Sequence, residues 1–301
     1  MVEEMKEVKI DHLKTESRNP KTLNLDTMTT MELLRIMNDE DRNVIDTIEE
    51  ALPQIEKAIC LVIEALNNNG RLIYMGAGTS GRLGILDAVE CVPTFSTTNE
   101  VIGIIAGGEK AFVRAVEGAE DSEELAASDL EAINLGENDV VVAIAASGRT
   151  PYAIGALKHA KKYRAKCISI TCNQDAQLSK FADVAIEVDA GPEILTGSTR
   201  LKAGTCQKII LNMISTASMV GIGKVYGNLM IDMKATNLKL VERAKRIVME
   251  STGCDLETAM NTLTATQYSI KEAIVMILAD VTKEEAQKRI ADNKGFVRKC
   301  I

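Results

Sequence analysis

Hydroxyl side chains cluster in this sequence where a strand pattern gives way to a helix pattern. Arg71–Met75 reads as an apolar strand and runs into Gly76-Ala-Gly-Thr-Ser-Gly-Arg82. Asp139–Ile144 runs likewise into Ala145-Ala-Ser-Gly-Arg-Thr150, and Val184–Val188 precedes Thr196-Gly-Ser-Thr199 by a few residues. Backbone amides at a helix N-terminus, joined by hydroxyls, cradle an anion without a fixed cation. Two such loops brought together hold a phosphate, and the third closes over the rest of the ligand. The implied ligand is a phosphorylated small molecule.

Two glutamates have the spacing for acid–base work. Glu90 lies four residues after Leu86 and seven after Leu83, in line with an apolar helix stripe. Glu120 stands in the same relation to Val116 and Val113, provided the helix continues across Gly118. A carboxylate on a buried stripe near a helix C-terminus is poorly solvated and opposed by the helix dipole. Both effects favour the protonated form that a general acid needs. The plainer reading of Glu120 is a solvated helix face, because Glu117, Asp121, Glu123 and Glu124 surround it.

Gly76, Gly78 and Gly81 also satisfy the spacing of a dinucleotide loop, with Glu109 placed to hold a ribose. Thr79 and Ser80 add hydroxyls that such a loop does not need, and the second and third loops have no part in that scheme. Turn formation and helix capping alone remain the plain alternative.

The elements that would position these loops are legible. Segments 71–76, 101–106, 139–145, 166–172 and 184–189 are near-continuous apolar runs, as expected of parallel strands covered on both faces. The stretches between them are long enough for right-handed helical crossovers. The expected fold class is α/β, a doubly wound, mostly parallel five-stranded, flavodoxin-like sheet with its ligand at the C-terminal strand ends. Ahead of it, residues 1–25 read as a polar arm broken at Pro20. Helices follow over 31–37, capped at Thr29 or Thr30, and over 44–67. Residues 204–222 form a helix apolar almost all round, which is either deeply buried or shared with a partner subunit. After Lys245, helices over 256–265, 270–278 and 283–291 make a C-terminal three-helix appendage. The expected division is 1–55, 56–245 and 246–301.

Composition removes several classes. At 301 residues and 46% hydrophobic, the chain can bury a sizeable core. The net charge is −8 with scattered Lys and Arg, aromatics are 3% and Trp is absent, so no nucleic-acid partner is expected. Residues 26–66 carry no basic recognition helix. Seven cysteines, an odd number with no CxxC pair, read as reduced thiols. With only His12 and His159 in the chain, neither a metal nor a cofactor is called for. No secretory leader is read in Met1–Lys6, and no apolar run reaches the roughly 18 residues of a membrane span. The expected location is the cytoplasm, with no membrane partner.

The loops at 71–82 and 145–150 resemble the phosphosugar-binding loops of sugar isomerase (SIS) domains, and Gly191-Pro-Glu-Ile-Leu-Thr-Gly-Ser-Thr-Arg-Leu-Lys202 resembles the third loop of that family. Thr15-Glu-Ser-Arg-Asn19, Ile85–Cys91, Ile105–Glu109, Ala115–Asp121 and Gly227–Asn237 are similar to motifs of the N-acetylmuramic acid 6-phosphate etherase family. The resemblance covers nearly the whole chain. It implies a lyase that cleaves the C3 D-lactyl ether by elimination at C2–C3 and hydration, giving N-acetylglucosamine 6-phosphate and D-lactate, with a place in peptidoglycan recycling. It implies Glu90 as the acid that protonates departing lactate and then activates water, and Glu120 as the base at C2. Thr79, Ser80, Ser147 and Thr150, with the amides of Gly78, Gly81 and Gly148, would bind the phosphate. Ser198 and Thr199 would finish the pocket. Glu193 would assist ring opening, or else cap a helix or pair with Arg200 or Lys202. Arg18 and Asn19 would fold over the pocket or merely anchor the arm. A homodimer is expected, and the sequence leaves open whether one site draws both glutamates from one chain. An SIS aldose–ketose isomerase would share the loops but have no use for an acid at C3. A non-catalytic phosphosugar sensor would keep the loops and lose one carboxylate.

Overall fold

The computed structural model describes residues 13–301 except 115 and 236. The first twelve residues of the expected arm, His12 among them, lie outside the described residues, as do Ala115 and Thr236 of two motif stretches. Strands β1 (Leu72–Gly76), β2 (Val101–Ile105), β3 (Val140–Ile144), β4 (Lys166–Thr171) and β5 (Val184–Glu187) form one sheet in the order β2-β1-β3-β4-β5. All four pairings are parallel. This is the flavodoxin-like order, whose direction reverses between β1 and β3.

Alternate residues of each strand feed two cores. Leu72, Tyr74, Val140, Val142 and Ile144 pack with helices α1 (Thr30–Asn67), α2 (Gly78–Phe95) and α6 (Lys202–Gly221). Ile73, Met75, Val141 and Ala143 pack with α4 (Glu123–Ala132) and α5 (Pro151–Lys162). The short α3 (Glu109–Val113) follows β2. Because both faces are covered, the strands are apolar at most positions, and that is the near-continuous pattern read in the sequence.

The two N-terminal helices expected from periodicity are one. Helix α1 opens with a capping box between Thr29 and Glu32 and continues through Pro53 to Asn67. Its buried stripe runs Glu40, Val44, Ile48, Ala51, Ile55, Ala58, Val62 and Ala65. The polar stretch 38–43 seemed to break the pattern because its inward residue is the charged Glu40. That carboxylate meets a buried lysine, which hydrophobic periodicity cannot register.

Helix α6 buries Ala203, Cys206, Ile210, Leu211 and Ile214 against α1, α2 and the sheet. Its other side, with Ile209, Met213 and Val220, lines an open apolar groove of about 1090 Å³ against Leu52 and Ile59 of α1. A small hairpin, β6 (Val225–Tyr226) and β7 (Leu229–Met230), leads to α7 (Leu238–Thr252), α8 (Leu256–Ala265), α9 (Ile270–Ala279) and α10 (Lys283–Asp292). These helices share a core of their own that includes Ile231 and Met233. Asp232 ties it to the sheet domain: Lys224 and Lys271 each reach its Oδ2 at 3.1 Å, and its carbonyl accepts from Ser96. No helix of the described residues is long and apolar enough to cross a membrane.

Candidate active site

The first two hydroxyl loops leave the sheet on either side of its switch point, after β1 and after β3. Helix α2 opens at Gly78 behind Ala77, and α5 opens at Pro151 behind Thr150. Neither N-terminus donates a hydrogen bond to the side chain of its cap residue. Both helix ends therefore lack a side-chain cap, as a phosphate site requires, while the Gly81 amide donates to the Ala77 carbonyl and the Gly148 amide to the Ala145 carbonyl. Gly81 is required because a Cβ there would lie 2.5 Å from the Gly76 carbonyl oxygen. Gly148 has φ +67°, and a Cβ on it would meet that of Ala176 at 2.4 Å. The second loop thus turns through a conformation and a space open only to glycine.

The third loop converges on the first. The position of a Cβ on Gly204, in the first turn of α6, is 3.6 Å from the Thr79 methyl and 3.7 Å from the Thr199 carbonyl oxygen. Ser80 is buried and donates to Gln207 Oε1 at 3.0 Å, so the first loop is tied to α6. Ser147 and Thr150 are half-buried, and the Ser147 hydroxyl accepts from the Arg149 amide at 3.3 Å. Ser198 and Thr199 are half-buried in the turn before α6.

Glu193 has a defined partner set. Its carboxylate accepts from the amides of Lys202 and Ala203, both at 3.0 Å, and the residue is 1% exposed. It caps α6, so that the third helix N-terminus, unlike the other two, is already occupied by an anion. Burial pushes this carboxyl above its ordinary range, against the opposing pull of the two amides.

The glutamates are placed differently from the expectation. The chain does not continue as a helix across Gly118: α3 ends at Val113, Gly118 is left-handed, and Glu120 sits in a single turn over Ala119–Asp121. It is exposed and lines a small recess with Gly78, Ala77, Ala106 and Arg82. Arg82 donates to the carbonyls of Ala111 and Phe112, which fixes the wall of that recess. Glu90 is exposed as well. The stripe it joins faces outward, with Leu86, Val89 and Val92 all exposed, while α2 buries Gly84, Ala88, Cys91 and Phe95. The expectation that both carboxylates are poorly solvated fails: Leu83 packs on the sheet core, but Leu86, Val89 and Val92 around Glu90 are exposed.

Nor do the two meet. Glu90 lines a recess of about 540 Å³ with Asp87, Thr94, Asn212, Thr216 and Asn228. It is twelve residues beyond Gly78 on the same helix, which at the α-helical rise is about 18 Å from the loop that Glu120 borders. Asn212, Thr216 and Val220 belong both to this recess and to the apolar groove between α1 and α6. Behind Glu90, the buried Asp87 accepts from Asn212 at 2.7 Å and Ser215 at 3.1 Å. Burial, with Asp87 beside it, pushes the Cys91 thiol up to about 12.

Asn173 and Thr22 escaped sequence reasoning, whereas Asn19 anchors the arm, one of the two roles expected of it. Asn173, just past β4, accepts from the Lys14 amide at 2.8 Å and donates to Thr15 and to the Ala146 carbonyl, tying the arm to the second loop. Asn19 donates to the Pro192 carbonyl at 3.2 Å and Thr22 to the Ile194 carbonyl at 2.8 Å, tying the arm to the third. Asn237, one of the motif residues, caps α7 through the Leu240 amide. Isolated polar residues carry no periodic signal, so only their partners reveal them.

A 2-1-3-4-5 parallel sheet with hydroxyl loops at its switch point defines the class: a sugar isomerase (SIS) domain. Residues 54–161 match the glucokinase regulatory protein N-terminal SIS domain and residues 116–217 match the SIS domain. A phosphoheptose isomerase structure from Francisella tularensis has the same fold, with a TM-score of 0.50 at 18% identity over 64% of this chain and 98% of that one. The chain belongs to the N-acetylmuramic acid 6-phosphate etherase family. It is 58% identical to the proteins of that name from Shouchella clausii and Geobacillus sp., over 97% of this chain and 99% of theirs. To that from Bacillus cereus strain G9842 it is 56% identical, over 97% and 100%.

Proposed function

We propose that this enzyme cleaves the D-lactyl ether of N-acetylmuramic acid 6-phosphate, yielding N-acetylglucosamine 6-phosphate and D-lactate. The observation that carries the reading is 58% identity to etherases over 97% of the chain. The substrate phosphate binds at the openings of α2 and α5, through Thr79, Ser80, Ser147, Thr150 and the neighbouring Gly78, Gly81 and Gly148 amides. Ser198 and Thr199 close the third side, and Glu193 holds their loop by capping α6.

The chemistry needs two carboxyl groups at adjacent carbons. In the open-chain sugar the C1 aldehyde acidifies C2–H. Glu120 takes that proton, the C2–H electron pair becomes the C2=C3 bond, and the C3–O bond breaks with its pair on the ether oxygen. Glu90 protonates that oxygen, and D-lactate leaves. Water then adds to C3, its proton going to Glu90, while C2 recovers a proton from Glu120. Each transfer contributes about 10²–10⁴-fold.

A gap of about 18 Å along α2 cannot be closed within one chain, so the reading requires a homodimer in which Glu90 enters the partner's site. The α1–α6 groove and the outward stripe of Leu86, Val89 and Val92 supply the apolar surface for that pairing. An enzyme of this kind serves peptidoglycan recycling in the cytoplasm. D-lactate release from N-acetylmuramic acid 6-phosphate by the purified protein tests the activity. Release by the wild type and none by Glu90→Ala supports the reading, and no release by folded wild-type protein overturns it.

A further inference from the structure

The Glu40 carboxylate joins three segments: helix α1, the N-terminal arm and the start of α6. It lies on α1, is 4% exposed, and its Oε2 accepts from Lys202 Nζ at 2.6 Å and Asn19 Nδ2 at 2.9 Å. Its Oε1 accepts from Lys21 Nζ at 2.7 Å. Lys202, 2% exposed, is the first residue of α6, and its amide is one of the two held by Glu193. Asn19 carries the connection to the Pro192 carbonyl, and Thr22 repeats it at Ile194. Burial alone would raise the Glu40 carboxyl, but the bonds and charges of Lys202 and Lys21 hold it at about 2.

A buried ion pair is a poor way to stabilise a fold, because desolvating two charges costs about as much as their attraction returns. Its attested use is to select one arrangement among several of similar energy. Here the arrangement selected is the seating of the arm and of loop 191–199. An apolar pair at 40 and 202 could fill the same space, but it would remove the acceptor through which Asn19 and Lys21 tie the arm to α1.

We propose that Glu40 and Lys202 are positioning residues of a latch that holds the N-terminal arm and the third hydroxyl loop in the closed, phosphosugar-binding arrangement. The proposal rests on the reading that Ser198 and Thr199 border the substrate. Neither residue of the latch touches the reacting carbons. Loosening it therefore weakens ground-state and transition-state binding together, which raises KM and leaves kcat largely in place.

The test is the double variant Glu40→Leu with Lys202→Met, which removes both charges and keeps apolar volume, beside Glu40→Gln alone. Folding is checked by thermal melting, and two readouts follow on the folded protein. One is the rate of tryptic cutting after Arg18 or Lys21 without substrate. The other is the KM and kcat for D-lactate release. The latch predicts arm cutting at least about tenfold faster, and KM raised about tenfold with kcat within about threefold of wild type. An arm as protected as in the wild type, with unchanged KM, overturns the proposal. Faster cutting with unchanged KM also overturns it: the arm is then latched, but loop 191–199 does not border the substrate, and the etherase reading stands. A fall in kcat alone overturns the positioning role.

Discussion

If Glu90 and Glu120 act on one substrate from two chains, crippled subunits must rescue each other. The perturbation is a pair of variants, Glu90→Gln and Glu120→Gln, both isosteric at exposed positions and so close to neutral for folding. Each homodimer loses one proton transfer at both sites, a fall of about 10²–10⁴-fold. In a mixed dimer the two-fold axis sorts the lesions. One site receives both substituted residues and is dead, and the other receives both native glutamates. Co-expression with two different affinity tags and tandem purification isolates that mixed dimer. Its lactate-release rate should be about half that of the wild-type dimer, because one of the two sites of a closed two-fold assembly is intact. If both glutamates of a site came from one chain, each site would hold one lesion and the mixed dimer would be as inactive as the variants. That result would refute the reasoning from the roughly 18 Å separation along α2.

Gly148→Val should abolish tight phosphosugar binding, because φ +67° and the 2.4 Å approach to Ala176 leave no room for a side chain. Backbone strain of this kind costs about 1–3 kcal/mol, to be read as a lowered thermal midpoint together with a raised KM. Acid should remove the contribution of Glu40. Its folded-state carboxyl, held at about 2, lies below the ordinary 4.5, so the unfolded chain takes up the proton first as pH falls. The stabilisation is complete above the unfolded pKa and disappears toward the folded one, amounting to at most about 3 kcal/mol. Urea titrations should show the advantage of wild type over Glu40→Gln shrinking between about pH 6 and about pH 3. An advantage constant over that range would mean that the charge of Glu40 does not contribute.

The sheet was legible because parallel strands covered on both faces write their burial as unbroken apolar runs, and β1 to β5 fall where those runs lie. The C-terminal helices were legible for the related reason that each has its own cap, at Asp255, Ser269 and Thr282. Two kinds of feature were not. Glu40 interrupts an apolar stripe, and its partner Lys202 is 162 residues away. No local pattern encodes a charge balanced at that distance, and α1 was divided in consequence. The stripe beside Glu90 has the period of a core-facing surface, yet Leu86 and Val89 are exposed in the single chain. Periodicity reports that a face is apolar and not which chain covers it, and α6 carries the same ambiguity. Glu120 lies off the expected helix for a simpler reason: α3 ends at Val113 with Arg114 extended, so the spacing of Val113, Val116 and Glu120 is not a helical one.

The most direct test of the central claim is to run the reaction in water enriched in ¹⁸O and locate the label by mass spectrometry. Elimination across C2–C3 followed by hydration predicts one solvent oxygen at C3 of N-acetylglucosamine 6-phosphate and none in the hydroxyl of D-lactate. Label in the lactate hydroxyl, with the original oxygen retained at C3, would mean that the lactyl carbon–oxygen bond is the one that breaks, and would contradict the assignment of Glu90 and Glu120.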